Sequence, residues 1–138
     1  MSYLRYDELE IGRTLEPVTY EVTEEAIDLW RRATLDDLTP RVAVDAQGRE
    51  RSVAPLTLAN AYVRMVYRSL PNPPGGIHAK QRYVFHRPVF AGDRLTTTAH
   101  IEDLYIKRDN RYVIIACRTV AQDGHLVTSS WATRIWAE

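Results

Sequence analysis

The hydrophobic positions between Ala54 and Leu70 recur at the spacing of a helix. Apolar side chains lie three and four residues apart, which places them on one helical face: Leu56, Ala59, Val63, Val66, Tyr67 and Leu70. Asn60, Arg64 and Arg68 fall on the opposite face. Pro55 suits a first helical turn, and the proline after Leu70 ends the helix. The pattern predicts one amphipathic helix at the centre of the fold.

A strand and a short helix are predicted ahead of this central helix. β-favouring residues between Thr14 and Val22 indicate the strand. Thr23 suits an N-cap, and two glutamates follow it where the helix dipole favours negative charge. Apolar positions as far as Ala33 make this helix amphipathic. Residues 34–53 show no period and are predicted to form a long loop, which in a compact domain is often functional.

Four strands are predicted after the central helix. They cover residues 77–89, 95–106, 111–122 and 125–136, and the turn at Asp123-Gly124 is a strong hairpin signal. Consecutive antiparallel strands after one amphipathic helix close most simply as a curved sheet wrapped around the helix. The predicted class is therefore α+β, with residues 1–138 as a single domain. The free face and edges of such a sheet favour dimerisation.

Composition narrows the function classes. The 18 basic and 18 acidic residues cancel, so charge gives no case for binding nucleic acid or an anionic membrane. No stretch has the length and apolarity of a signal core or a membrane span, and a cytoplasmic protein is expected. The single cysteine, Cys117, lies in a predicted buried strand and is interpreted as a structural thiol.

The run from Gly75 to Leu95, GGIHAKQRYVFHRPVFAGDRL, resembles the Q-R-[FY]-x-F-x-[KR]-P-V-x-x-G-D-x-L signature of MaoC-like dehydratases. The segment Ala54–Thr57 and the QDG hairpin at Gln122 resemble the branch with FAS1-type dehydratase domains and mycobacterial β-hydroxyacyl carrier-protein dehydratase subunits. The resemblance extends from Tyr6 to about Trp136. It implies the hotdog fold, in which an antiparallel sheet wraps around one long helix.

The resemblance also implies a chemistry. Active members of the family belong to fatty acid metabolism and are lyases: they add water to a trans-2-enoyl thioester, or remove it from an (R)-3-hydroxyacyl thioester, on coenzyme A or an acyl carrier protein. Their D-x-N-P-x-H motif lies between the two helices, where the carboxylate and imidazole share proton transfer. A backbone N–H at the start of the central helix holds the thioester oxygen. Neither a cofactor nor a metal is implied.

The segment corresponding to that motif departs from it at two places. Asp37 matches the carboxylate and Pro40 matches the proline, whereas Thr39 replaces asparagine. Val42 occupies the position of the histidine, and valine cannot transfer a proton. Spacing assigns none of the four histidines as a replacement. Asp37 is therefore the one catalytic candidate, and half of the usual pair is missing.

The resemblance implies the following substrate-binding residues: Thr39, Pro40, Ala54, Pro55, Leu56 and Thr57. The backbone N–H groups of Leu56 and Thr57 are the candidate oxyanion donors. The histidines are interpreted as packing or solvent-facing residues: His78, His86, His100 and His125. Four basic residues are candidates for contacting coenzyme A phosphates or an acidic carrier protein, against the alternative of a solvated surface: Arg64, Arg68, Lys80 and Arg82.

Three hypotheses remain open at this point. The first is a hotdog subunit that binds an acyl thioester and pairs with a catalytic MaoC-like partner. The second is a self-sufficient homodimeric hydratase or dehydratase that uses Asp37, with Thr39 or a histidine across the dimer interface assisting. The third is an acyl-CoA thioesterase, which generally needs an acidic residue on or near the central helix, where this chain offers only Asn60.

Overall fold

A computed structural model describes residues 2–137 as a five-stranded antiparallel sheet packed on a helical core, with a two-stranded ribbon beside it. The elements are helix α1 (Glu24–Thr34), helix α2 (Ala59–Tyr62), and strands β1 (Val18–Glu21), β2 (Val42–Val44), β3 (Glu50–Ser52), β4 (Ile77–Phe85), β5 (Arg94–Lys107), β6 (Asn110–Val120) and β7 (Leu126–Trp136). The sheet order is β1-β5-β6-β7-β4, and β2 pairs with β3.

The predicted sheet wraps around the predicted helix, which confirms the α+β hotdog architecture. Alternate residues of β5, β6 and β7 are buried against the helical segment, as the two-residue period of a strand requires: Leu95, Thr97, Ala99, Ile101, Val113, Ile115, Cys117, Thr119, Thr128, Ser130 and Ala132. The hydroxyl of Tyr62 lies 2.7 Å from that of Thr128, joining α2 to β7. Cys117 is buried, as expected.

The central helical segment is less regular than predicted. A 3₁₀ turn (Leu56–Leu58) leads into α2, and a second 3₁₀ stretch (Arg64–Ser69) follows it. The assignment of Leu56 to the buried face is wrong, because its side chain is 55% exposed whereas Leu58 is 1% exposed. A 3₁₀ turn has about three residues per turn, so it changes the angular position of Leu56 relative to α-helical spacing.

The predicted long loop contains the β2–β3 ribbon, so the prediction of irregular structure is wrong for residues 42–44 and 50–52. Gly48 at the tip has φ +77° and donates its N–H to the carbonyl of Asp45 at 3.0 Å. The Asp45 carboxylate accepts the N–H groups of Gln47 and Arg49, both at 2.9 Å. Turn hydrogen bonds therefore define this ribbon, rather than any alternation of apolar residues.

The two edges of the sheet differ in length. β1 has four residues, and the chain before it continues the pairing: the N–H of Leu15 donates to Ala99 at 2.9 Å, and that of Gly12 to Ile101 at 2.8 Å. The opposite edge is the nine-residue strand β4. Within residues 2–137, no helix has both the length and the apolar composition needed to cross a bilayer.

The Gly-Asp pair of the signature run has a structural role. Gly92 adopts φ +91°, where a side chain would be strained, and its N–H donates to Val22 at 2.7 Å. The carboxylate of Asp93 is fully buried and accepts the N–H of Phe90 at 2.9 Å and the amide of Gln122 at 3.1 Å. This pair therefore ties the β4–β5 connection to the start of α1 and to the β6–β7 hairpin.

Candidate functional site

The loop after α1 is closed by Asp36, the acid next to the predicted catalytic residue. Its carboxylate accepts hydrogen bonds from the backbone N–H of Leu38 at 3.2 Å and of Thr39 at 3.0 Å, and from the Thr39 hydroxyl at 2.5 Å. The bonds from Thr39, first the hydroxyl and then the N–H, hold the pKa of Asp36 below its usual value. Thr39 therefore faces inward to Asp36, and its hydroxyl hydrogen is engaged there.

Arg31 fixes this loop to the start of the central segment. It is 5% exposed, and its guanidinium donates to the carbonyls of Thr39 at 3.0 Å, Pro40 at 2.8 Å and Val53 at 2.9 Å. Sequence reasoning did not identify this residue. The available signal is its position four residues after Ile27, which puts a cation on the apolar face of α1.

A cavity of about 440 Å³ adjoins that loop and the start of the central segment. Most of its wall is apolar, and it is lined by Pro40, Ala43, Val53, Ala54, Leu56, Phe85, His86, Arg87 and Pro88. Three of the predicted substrate-binding residues, Pro40, Ala54 and Leu56, therefore share one cavity. The exposed side chain of Leu56 forms part of this wall rather than part of the core.

The first residues of the central segment leave two backbone donors unused. Within residues 2–137, neither the N–H of Leu56 nor that of Thr57 has an acceptor, as is usual for a helix start. Ala54 and Pro55 are buried, and the N–H of Ala54 donates to Val89 at 2.8 Å. The hydroxyl of Thr57 accepts the indole N–H of Trp30 at 2.9 Å, which fixes α1 against this turn.

Asp37 and Val42 both point away from the packed interior. The side chain of Asp37 is exposed and makes no hydrogen bond or ion pair with any of the residues described here. Val42 is 46% exposed. The structure therefore does not bring Asp37 together with an imidazole of the same chain.

His86 is the histidine that lines the cavity, although sequence reasoning interpreted it as a packing residue. Its Nε2 lies 3.0 Å from the hydroxyl of Ser129, and no carboxylate in the described part of the chain contacts its ring. His100 and His125 are exposed, as predicted. No group of three or more potential metal ligands occurs between residues 2 and 137.

A family model and a known protein each match most of this chain. The family model described as "FAS1-like, dehydratase domain region" matches residues 10–130. A Streptomyces griseus subsp. griseus protein named UPF0336 protein is 31% identical over 137 residues, which cover 90% of each chain.

Two solved structures are similar to this chain along most of its length. The chain is similar to the unliganded R-hydratase PhaJ1 of Pseudomonas aeruginosa, with a TM-score of 0.77 and 26% identity, over 96% of this chain and 85% of that one. It is also similar to the truncated HadBC (3R-hydroxyacyl-ACP dehydratase) complex of Mycobacterium tuberculosis, with a TM-score of 0.72 and 25% identity, over 91% of this chain and 96% of that one.

Proposed function

Since the chain belongs to the family of FAS1-like dehydratase regions, we propose that it binds an acyl thioester and works as one subunit of a hydratase or dehydratase. In this proposal the catalytic Asp/His pair is supplied by a partner chain. The observation that carries it is the exposed valine at position 42, beside an Asp37 that no imidazole contacts. In this proposal the chain keeps the binding residues of the family's site and the carboxylate of Asp37, and lacks the imidazole.

The apolar cavity takes the acyl group, and the start of the central segment takes the thioester oxygen. The N–H groups of Leu56 and Thr57 are unused donors beside the cavity wall, which supports this orientation. Backbone donors held in a fixed position stabilise the negative charge that develops on this oxygen when an enoyl thioester is hydrated. The role of Arg31 is indirect, because its guanidinium holds Pro40 and Val53 in place by donating hydrogen bonds to their carbonyls.

A proline at position 56 tests the oxyanion role directly. Pro55 already has φ −59° and ψ 145°, the extended conformation that precedes proline, so Leu56→Pro removes the N–H with little change in backbone. We expect it to weaken binding of crotonyl-CoA about fivefold or more, the loss of roughly one hydrogen bond. Leu56→Ala is the matched control, because it removes the side chain and keeps the N–H. Equal affinities of the two variants in calorimetry would refute the role.

A second candidate, a self-sufficient hydratase, is favoured by one observation: His86 lines the same cavity as Pro40 and Leu56. In this alternative Asp37 of one copy and His86 of a second copy transfer the protons across a dimer interface. The thioesterase hypothesis gains nothing from the central segment, because the side-chain oxygen of Asn60 already accepts the hydroxyl of Tyr83 at 2.8 Å.

Hydration of crotonyl-CoA and longer trans-2-enoyl-CoA thioesters by the purified chain separates the two candidates. The subunit proposal expects binding in calorimetry without turnover. Turnover by the chain alone, abolished in both Asp37→Ala and His86→Ala, would replace it with the self-sufficient enzyme. Absence of thioester binding at millimolar concentration would refute both.

A further inference from the structure

A second cavity, beside the β2–β3 ribbon, adjoins the apolar cavity proposed for the acyl group. Its volume is about 490 Å³, and it lies between the ribbon, the β4–β5 connection and the β6–β7 hairpin. We call it the ribbon cavity. His86 and Arg87 belong to the walls of both cavities, and the ribbon adds Arg49 and Arg51 to the wall of the second. A group that extends past the apolar cavity therefore meets arginines.

Two of these arginines are fixed through one side of the guanidinium. Nη2 of Arg51 donates to the carbonyl of Ala91 at 2.7 Å, and the group lies over the ring of Phe90, 5.0 Å from its centre. Nη1 of Arg87 donates to the carbonyl of Pro88 at 2.8 Å. Because both guanidinium groups are already held in place, little side-chain entropy is lost when they bind an anion.

The opposite nitrogen of each guanidinium keeps unused donors. Nη1 of Arg51 lies 3.7 Å from the carboxylate of Asp45, and Nη2 of Arg87 lies 3.9 Å from that of Asp123. Both distances are longer than a hydrogen bond, and neither nitrogen donates one to another group within residues 2–137. Two planar cations with free N–H groups in one cavity are suited to a carboxylate or a phosphate.

The acidic residues of the ribbon cavity leave its accessible surface positive. Its walls contain three aspartates and three arginines. The side chains of Asp45 and Asp93 are only 3% and 0% exposed, and backbone N–H groups already donate to both. The exposed acid is Asp123, which lies 3.1 Å from the ring of His125. The side chain of Arg49 is 67% exposed. A ligand therefore meets mainly cations.

The short path between the two cavities favours an anion carried by the acyl group itself. The thioester oxygen is proposed to bind at the N–H of Leu56, and Leu56 lines the same cavity as Arg87. An acyl chain of a few carbons is enough to extend from one towards the other. The phosphates of coenzyme A or of a carrier protein are separated from the thioester by the whole pantetheine arm, so they are expected farther away.

We propose that the ribbon cavity binds a carboxylate at the far end of the acyl group, through Arg51 and Arg87 with Arg49 at the rim. The substrate class is then the thioesters of short unsaturated dicarboxylic acids. This inference rests on the proposed function, since it specifies the acyl group of the same thioester site. It also gives the β2–β3 ribbon a role, because its turn and second strand supply two of the three arginines.

Two coenzyme A thioesters that differ only at the far end of the acyl group test the proposal on the wild-type chain. trans-Glutaconyl-CoA has a carboxylate where trans-2-pentenoyl-CoA has a methyl group. We expect glutaconyl-CoA to bind about tenfold more tightly in calorimetry, because charge-assisted hydrogen bonds to fixed guanidinium groups outweigh the lost hydration of the carboxylate. Equal affinities, or weaker binding of glutaconyl-CoA, would overturn the proposal.

Arg51→Gln and Arg49→Gln locate the carboxylate. The measured quantity is the ratio of the two affinities within each variant, so that a general effect on binding cancels. We expect the ratio to fall close to one in Arg51→Gln and by about threefold in Arg49→Gln, whose charge is more exposed. Arg49→Gln keeps the test valid if Arg51→Gln does not fold. Arg13→Gln, an exposed arginine outside the ribbon cavity, is the control and should keep the full ratio. An unchanged ratio in both ribbon variants would overturn the assignment.

A phosphate of the pantetheine arm is the alternative occupant. N-Acetylcysteamine thioesters of the same two acids lack phosphate, and the glutaconyl thioester should keep its advantage there. Loss of that advantage, with Arg51→Gln weakening both coenzyme A thioesters equally, would assign the cavity to phosphate and overturn the proposal.

The oxyanion test with Leu56→Pro changes none of these arginines, so the two proposals fail separately. If both coenzyme A thioesters bind equally and Leu56→Pro weakens both, the carboxylate subsite alone is refuted. If neither thioester binds, the proposed function is refuted, and the subsite that rests on it is refuted with it.

Discussion

Arginines in two regions of this molecule differ in where their partners lie. Beside the β2–β3 ribbon, Arg51 and Arg87 approach the buried carboxylate of Asp93, at 3.6 and 3.2 Å. Along the central segment, Arg64 and Arg134 face no carboxylate of the described chain. The carboxylate partner of the first group lies within the fold and stabilises it. The second group has no carboxylate neighbour in the walls of its cavities within residues 2–137, so its charges remain at the surface.

The overall charge hides this difference. The charges of the eighteen acidic and eighteen basic residues sum to zero, yet this net charge describes neither of the two regions. Three aspartates near the ribbon, Asp45, Asp93 and Asp123, each contact an arginine. The charges of this protein are therefore compared region by region, because electrostatic interactions act over about a Debye length rather than over the whole chain.

The largest effect is expected where the internal partner is removed. Asp93→Ala leaves the N–H of Phe90 without its acceptor and Arg87 without its closest carboxylate. Breaking a buried ion pair from one side typically costs about 3–5 kcal/mol, so the free energy of unfolding should fall by about that amount in urea titration. Asp28→Ala, an exposed change in α1, is the control and should have little effect. A loss below about 1 kcal/mol for Asp93→Ala would remove the contrast.

Arg31 extends the first group to a cation whose partners are all backbone carbonyls. Arg31→Met keeps a long apolar side chain and leaves the carbonyls of Thr39, Pro40 and Val53 without their donor. We expect a loss of roughly 2–4 kcal/mol in unfolding free energy, together with weaker thioester binding as the loop loosens. The neighbouring exposed Arg32 provides the control, Arg32→Met. Equal stability of the two variants would contradict the assigned role of Arg31.

The same substitution in both groups compares them directly. Arg51→Gln removes the 2.7 Å bond to the carbonyl of Ala91 and the charge facing Asp93, and should cost about 1–3 kcal/mol. Arg64→Gln removes a positive charge whose charged neighbours are also positive. The free energy of unfolding should therefore change by no more than about 0.5 kcal/mol, or should increase. Thermal or urea unfolding of the two variants measures both. An equal cost at Arg64 would mean that the isolated chain does supply it with a partner.

Lowering the pH should destabilise the fold through the carboxylates near the β2–β3 ribbon. Hydrogen bonds from backbone N–H groups, of Arg49 to Asp45 and of His125 to Asp123, lower the pKa values of these carboxyls below 3.8. The folded state therefore favours their charged forms. Their contribution to stability is present above pH 3.8 and is lost as pH falls through the lowered pKa values. Urea midpoints measured from pH 6 downward should show this decline, and it should be shallower in Asp45→Asn.

Sequence patterns predicted the elements that have long, regular periods. α1 begins after Thr23, whose hydroxyl accepts the N–H of Ala26 at 3.0 Å, and all four long strands are present. The β2–β3 ribbon was not predicted, because three-residue strands are too short to show a period. Arg31 was missed because its acceptors are backbone carbonyls, one of them 22 residues away. The pattern of α1 places a cation on its apolar face but does not identify these acceptors.

The basic residues of β4 show more clearly where prediction from the sequence pattern fails. Sequence reasoning grouped Lys80 and Arg82 with Arg64, yet Arg82 lies over the ring of Trp131, 4.7 Å from its centre. A register shift between His78 and Lys80 changes which residues face the helix, so Gln81 and Tyr83 line the adjoining cavity of about 460 Å³ instead. A single bulge exchanges the two faces of a strand. The sequence pattern alone therefore does not predict which residues of β4 line that cavity.

The smallest expected effect is on the titration of His78, which reports the positive charge of Arg134 and Arg64 near its ring. Its pKa lies below 6.5, first because burial disfavours the charged ring and then because of Arg134 and, less strongly, Arg64. The folded state thus binds this proton less readily than the unfolded chain. The stability associated with the neutral ring is present above pH 6.5 and is lost as pH falls from 6.5 through the lowered pKa.

Arg64→Gln should raise the pKa of His78 slightly, because it makes the surroundings of the ring less positive. Ring-proton resonances of His78 in NMR, recorded as the pH is varied, measure this pKa in the two proteins. An unchanged pKa in Arg64→Gln would mean that burial and Arg134 lower it without a contribution from Arg64.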